Sequence, residues 1–174
     1  MSTQLVNGQC KLARGGQPAS MESKVQVIGG VLRKIGAHAN LDQFRGRLIL
    51  QKSVYFMQVF GLNFGYDFNW YVYGPYASNL AHDAFANTAA LKEKSIEFAN
   101  PAFEKNMQLL MQFIGKHAND DHWMELAASL HFLKKINPKY TKPQIIEIVT
   151  NKQTHFTRDE SERIWNHLKE FNLV

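Results

Sequence analysis

Hydrophobic positions along this chain recur with two periods, and the stretch from Leu48 to Leu80 joins both. From Arg47 to Gly61 apolar residues occupy nearly every side of a helical wheel, interrupted by Gln51, Lys52, Ser53 and Gln58, so a buried central helix is predicted there. Gly61 supplies the stop, because a residue without Cβ enters the left-handed C′ conformation at no steric cost. Tyr66 to Tyr73 alternates instead, with Phe68, Trp70 and Val72 on one face and Asp67, Asn69, Tyr71 and Tyr73 on the other. That is the period of a half-buried strand. Gly74-Pro75 is expected to end it, and Ser78 to cap a helix carrying Leu80, Ala81, Ala84, Phe85 and Leu91.

The remaining segments read as packing for this stretch. Residues 1–20 are polar and without periodicity, which predicts a flexible leader or an expression remnant with Met21 as the native start. Residues 21–174 then form one domain. A first helix is expected from Glu22 to His38, with Gly29-Gly30 in its middle at a cost of ~1 kcal/mol each relative to Ala, a sign that another element approaches closely. Lys94 to Ala99 alternates and is predicted to pair with Tyr66–Tyr73. Helical stripes follow at Phe103–Ile114 and Trp123–Leu133, then a short helix after Thr141 and a last one opened by Thr157-Arg158-Asp159-Glu160, which has capping-box spacing. The predicted class is mainly α with a small antiparallel sheet, a compact single-domain bundle of six or seven helices.

The run Leu50-Gln51-Lys52, Tyr55-Phe56, Gln58, Gly65-Tyr66, Phe68, Trp70-Tyr71, Tyr73-Gly74-Pro75-Tyr76, Leu80-Ala81 and Asp83 resembles the signature of YwgA-like domains, which are similar in turn to Panacea antitoxin domains. The motif spans about a fifth of the chain, with looser agreement out to the last helix. The resemblance implies a helical fold and a place among toxin-antitoxin or phage-defence proteins, acting through a protein partner such as a toxin. In one relative the domain follows a macrodomain and holds a toxin that ADP-ribosylates DNA. If that role carried over as DNA mimicry an acidic surface would be expected, whereas this chain has a formal net charge of +5.

Composition narrows the chemistry. With 45% hydrophobic and 20% charged residues the chain belongs to the globular class. A single cysteine, Cys10, forbids an internal disulfide, and no apolar run reaches the ~18 residues of a membrane span, so a cytoplasmic protein is expected. The basic excess lies in the first third, where Arg33, Lys34, Arg45 and Arg47 are candidate phosphate contacts for an alternative nucleic-acid-binding reading. The last two helices resemble a helix-turn-helix only loosely, since Asp159, Glu160, Glu162 and Glu170 oppose a phosphate-binding face.

Lys52 must run its stem along apolar neighbours, so it either acts as a depressed-pKa base or nucleophile, or binds a carboxylate or the carbonyls of the Gly-Pro turn. Ser78, His82 and Asp83 carry the residue types of a hydrolytic triad, but adjacent His82 and Asp83 point about 100° apart on a helix, and Asp83 is expected to close on its own helix start. The seven histidines are scattered, and His117, Asp120, Asp121 and His122 lack the one-turn spacing of a metal pair. Neither metal nor cofactor is expected. The surface reading assigns partner binding to Lys52, Tyr71, Tyr73 and Tyr76, with a second core layer as the competing role for the tyrosines. Gln51, Gly74, Pro75, Ser78 and Asp83 are assigned to holding the motif together. The sequence names neither the partner nor the oligomeric state.

Overall fold

The computed structural model describes the backbone of residues 4–6, 9–11, 21–92 and 101–174, and the side chains of 24–92 and 102–174. Two short strands, β1 (Gln4–Val6) and β2 (Gln9–Lys11), pair antiparallel inside the stretch where the sequence predicts no element. Eight α-helices follow among the described residues: α1 (Met21–Lys34), α2 (Phe44–Val59), α3 (Ser78–Ala86), α4 (Thr88–Lys92), α5 (Pro101–Ile114), α6 (Asp121–Ile136), α7 (Lys142–Lys152) and α8 (Arg158–Glu170). Between α2 and α3 lies a hairpin, β3 (Asn69–Tyr71) and β4 (Gly74–Tyr76). The class is therefore the mainly helical α+β fold that the hydrophobic periods predict.

Helix α2 is the central element. Eleven of its sixteen residues are buried, Gly46 and the unbroken run Leu48–Met57, because its apolar positions leave no face for water. It packs on α6, whose Trp123–Leu133 stretch is buried throughout. Gly61 ends the helix as expected, with φ +86°. Helix α1 is shorter than predicted and stops at Lys34. Its Gly29 lies against the Leu91 backbone of α4, where a Cβ would collide with the Leu91 carbonyl, so the mid-helix glycine has a packing cause. Thr157 and Glu160 form the expected capping box: Glu160 N donates to Thr157 Oγ1 at 3.2 Å, and Thr157 N donates to Glu160 Oε2 at 3.0 Å.

The hairpin corrects the strand reading. The strand is confined to Asn69–Tyr71, and its partner is Gly74–Tyr76, the segment taken as a terminating turn. A two-residue loop, Val72-Tyr73, suffices because Gly74 adopts φ +79°, and Pro75 is tolerated opposite Trp70 because this short ladder asks no N–H of it. The predicted strand Lys94–Ala99 lies outside the described residues. The helix expected to run from Ser78 to Leu91 breaks at Asn87, and its N-cap is Ala77 with no side-chain cap, so Ser78 is the first helical residue rather than the cap. No helix among the described residues is long and apolar enough to cross a membrane.

Candidate functional site

Side-chain amides and amines, rather than other strands, hold the hairpin in place. Gln51 on α2 both donates to the Ala77 carbonyl and accepts from Ala77 N, each at 3.0 Å, as a neighbouring strand would. One residue on, Lys52 Nζ donates to the Pro75 carbonyl at 2.8 Å. From the far side, Lys152 at the end of α7 donates to the Tyr71 carbonyl at 2.9 Å, and the neighbouring Gln153 donates to that of Val72. Two turns along α2 from Gln51, Gln58 repeats the device on the backbone of Tyr66, at 2.8 and 2.9 Å. Gln51, Lys52 and Gln58 are thus backbone clamps, which is why they are found on an otherwise apolar helix, while the Ser53 hydroxyl is buried without a hydrogen-bond partner among the described residues.

Lys52 is 2% exposed, and burial lowers its pKa to about 7 against the opposing pull of the Glu125 carboxylate. Glu125 in turn is raised by burial, against the influence of Lys52 and Gln153. Of the two roles open to Lys52, the geometry brings together its amine and the Gly-Pro turn. Asp83 accepts from the Tyr66 hydroxyl at 2.9 Å, so it ties α3 to the loop after α2 instead of closing on its own helix start. His82 approaches Asp83 at 3.6 Å, nearer than their helical angle suggests, yet is 77% exposed and has no hydrogen bond to a serine among the described residues. A triad is not assembled.

Above the clamped turn lies a groove of about 360 Å³. Leu41, Leu48, Leu50 and Ala81 provide apolar lining, and Phe44, Tyr71, Tyr73, Tyr76 and Phe85 the aromatic wall. Phe44 is 50%, Tyr73 45% and Phe85 52% exposed. The rings brace one another, Tyr73 edge-on to Phe44 at 4.9 Å and Tyr71 tilted on Tyr76 at 5.7 Å. Strand alternation explains the outward tyrosines: Trp70 points inward and stacks on Phe132 of α6 at 6.1 Å, under the ammonium of Lys152 at 4.2 Å, which turns Tyr71 out. No hydrogen bond among the described residues uses the hydroxyls of Tyr71, Tyr73 or Tyr76. The basic residues of the lining are Arg47 and the buried Lys52, and no carboxylate is among them.

The sequence reading thus identified Lys52, Tyr71, Tyr73 and Tyr76, which the fold gathers around one groove. It missed Phe44 and Phe85. Phe85 was placed in the apolar stripe of its helix, yet it projects outward at the groove rim, and only the position of Phe44 outside the buried run of α2 hinted at its role. Of the basic residues considered for nucleic acid, Arg33 donates to the Leu91 carbonyl at 3.1 Å and Lys34 lies 3.9 Å from Glu104. Arg45 pairs with Asp121 at 3.0 Å and donates to the Asn119 carbonyl at 2.6 Å. Arg47 uses one N–H on the Leu41 carbonyl at 2.9 Å. In the last two helices, Lys142 and Arg158 both turn to Glu162, at 3.0 and 3.8 Å.

A second concavity, about 460 Å³, lies between the α5–α6 connection and α8. His117 stacks flat on Trp123 at 4.4 Å and meets Asp120 at 3.3 Å, while His122 meets Glu160 at 3.4 Å. No group of histidine, cysteine and carboxylate side chains among the described residues has the arrangement of a metal site.

Fold and groove together define a mainly helical α+β domain with a clamped hairpin bearing exposed aromatics. Comparison of the chain with protein-family models, with curated proteins and with solved structures finds no match.

Proposed function

We propose that this protein is a non-enzymatic docking module that holds a protein partner in the aromatic groove, in the manner of the YwgA-like antitoxin and phage-defence domains its motif resembles. The observation that carries the reading is the division of labour at the groove. The lining amine able to do acid–base chemistry, Lys52, is buried and bonded to the protein itself, whereas five aromatic side chains with three unbonded hydroxyls face outward. Tyrosine and phenylalanine clusters supply large contact area at small entropic cost, which is what a recognition surface needs. A toxin is the partner class that the motif suggests, and a cytoplasmic setting fits a chain with one cysteine. The absence of carboxylates from the groove lining argues against DNA mimicry at this face.

The test is capture of partners from source-cell lysate treated with nuclease, at low and high salt, by the intact protein and by Tyr73→Ala/Tyr76→Ala. The expected result is a protein that survives nuclease and salt, is lost with the double variant, and rebinds when purified. Recovery of nucleic acid alone, released by moderate salt, would overturn the reading in favour of nucleic-acid binding through Arg47 and the tyrosines.

A further inference from the structure

We infer that the groove takes a short segment of a protein partner in which a bulky apolar side chain lies beside a carboxylate, the apolar group entering between Phe44, Tyr73 and Phe85 and the carboxylate meeting Arg47. This rests on the docking reading above and specifies the chemistry of what docks.

The hairpin backbone is a poor site for strand addition. The carbonyls of Tyr71, Val72 and Pro75, and both backbone groups of Ala77, are already bonded to Lys152, Gln153, Lys52 and Gln51. A partner strand would have to displace these side chains, so recognition falls on side chains in the groove. The lining then dictates what fits. Apolar and aromatic residues make up most of it and reward burial of a large apolar group. The Arg47 guanidinium has one N–H on Leu41 and presents its remaining donors without a carboxylate among the other lining residues. A purely apolar segment would cover that charge and leave it unpaired, which is costly. A partner lysine or arginine would face Arg47, which has no carboxylate among the lining residues, the repulsive element that excludes a wrong partner. A carboxylate satisfies Arg47 with a charge-assisted, bidentate geometry.

The experiment is selection of binders from a random dodecapeptide display library by the full chain, followed by affinity measurement on synthetic selected peptides. The expected outcome is enrichment of Asp or Glu within two positions of Phe, Trp or Leu. Replacing that acid by its amide should weaken binding roughly tenfold, as should Arg47→Gln, with Arg47→Lys recovering part of the loss. The amide peptide tests the charge without altering the protein, so a folding defect in the Arg47 variants cannot decide the matter. Apolar peptides selected without acidic bias, yet lost with Tyr73→Ala or Phe85→Ala, would overturn this inference and leave docking standing. Basic peptides dependent on the same aromatics would do likewise. Failure to select any binder sensitive to Tyr73→Ala or Phe85→Ala would sink both.

Discussion

The two concavities of this domain are similar in size and opposite in character. In the histidine-lined cleft several polar groups have a partner within the protein: His117 with Asp120, Glu160 with Thr157, and His167, which donates to the Phe113 carbonyl at 2.8 Å and lies 3.6 Å from Glu170. Its aromatic group, Trp123, is covered by the His117 ring. The groove on the hairpin inverts this arrangement. Its interior polar groups are bonded, but its outer ring of aromatics and hydroxyls is not. The cleft turns its histidines toward carboxylates and carbonyls of the fold, whereas the groove sets clamped backbone carbonyls beneath an open aromatic rim, an arrangement for contact. The comparison predicts that substitutions beneath the groove act on stability and those at its rim on binding.

The largest effect is expected at Lys52. Lys52→Ala leaves the Pro75 carbonyl without its donor and removes the cation whose charge favours the buried Glu125 carboxylate. Losing one member of such a buried arrangement costs about 3 kcal/mol, measurable by urea denaturation. A loss under 1 kcal/mol would mean that the clamp is not what holds the hairpin. The amine also imprints a pH dependence. Its pKa in the folded chain is about 7, below the unfolded value of roughly 10.4, so between these values the unfolded state binds the extra proton and stability rises with pH. Relative to Lys52→Met, the wild type should gain roughly 2 kcal/mol from pH 7 to pH 9. A flat difference between the two would place the amine in contact with water.

Next in size is Gln51→Ala, which removes two buried bonds to Ala77 at once and should cost roughly 2 kcal/mol. Gly74→Ala should cost a similar amount, about 2 kcal/mol, since φ +79° strains an alanine and its Cβ would run into Ser129 Oγ. If Gln51→Ala weakens partner binding without lowering stability, the division between foundation and rim fails. In the opposite region, His117→Ala uncovers Trp123 and breaks the pair with Asp120, for an expected loss of about 1 kcal/mol and no change in partner binding.

Much of this was readable along the chain because it is local. The all-round apolar pattern of Leu48–Met57 gives the buried helix, and Thr157 with Glu160 gives the start of α8, since both depend on neighbours a few positions apart. The polar interruptions Gln51, Lys52 and Gln58 stood out for the same reason. The Gly-Pro carbonyls were among the targets read for Lys52, but Ala77 as the target of Gln51 was not, because a side chain's backbone partner 26 residues away leaves no periodic trace. Lys152 and Gln153, which meet the hairpin from 81 residues away, carried no signal at all. The β3–β4 pairing was hidden by Pro75, which ordinarily argues against a strand and here occupies one of only three residues. Phe85 misled for the converse reason: helical spacing says which residues share a face, not whether that face is covered.

The smallest stability effect is the one that tests the rim. Tyr73 and Phe85 are about half exposed, so truncating either removes little buried area, and Tyr73 loses one edge-to-face contact with Phe44. Tyr73→Ala and Phe85→Ala should each change stability by no more than about 1 kcal/mol, the worth of one aromatic pair, while lowering partner affinity at least tenfold. The competing role for these rings is a second layer of core, in which case each truncation would cost the roughly 3 kcal/mol typical of a buried aromatic. A loss of that size would return the tyrosines to the fold. A near-zero loss leaves large apolar groups held at a surface where the fold itself does not need them, and recognition then becomes the physical reason for their position.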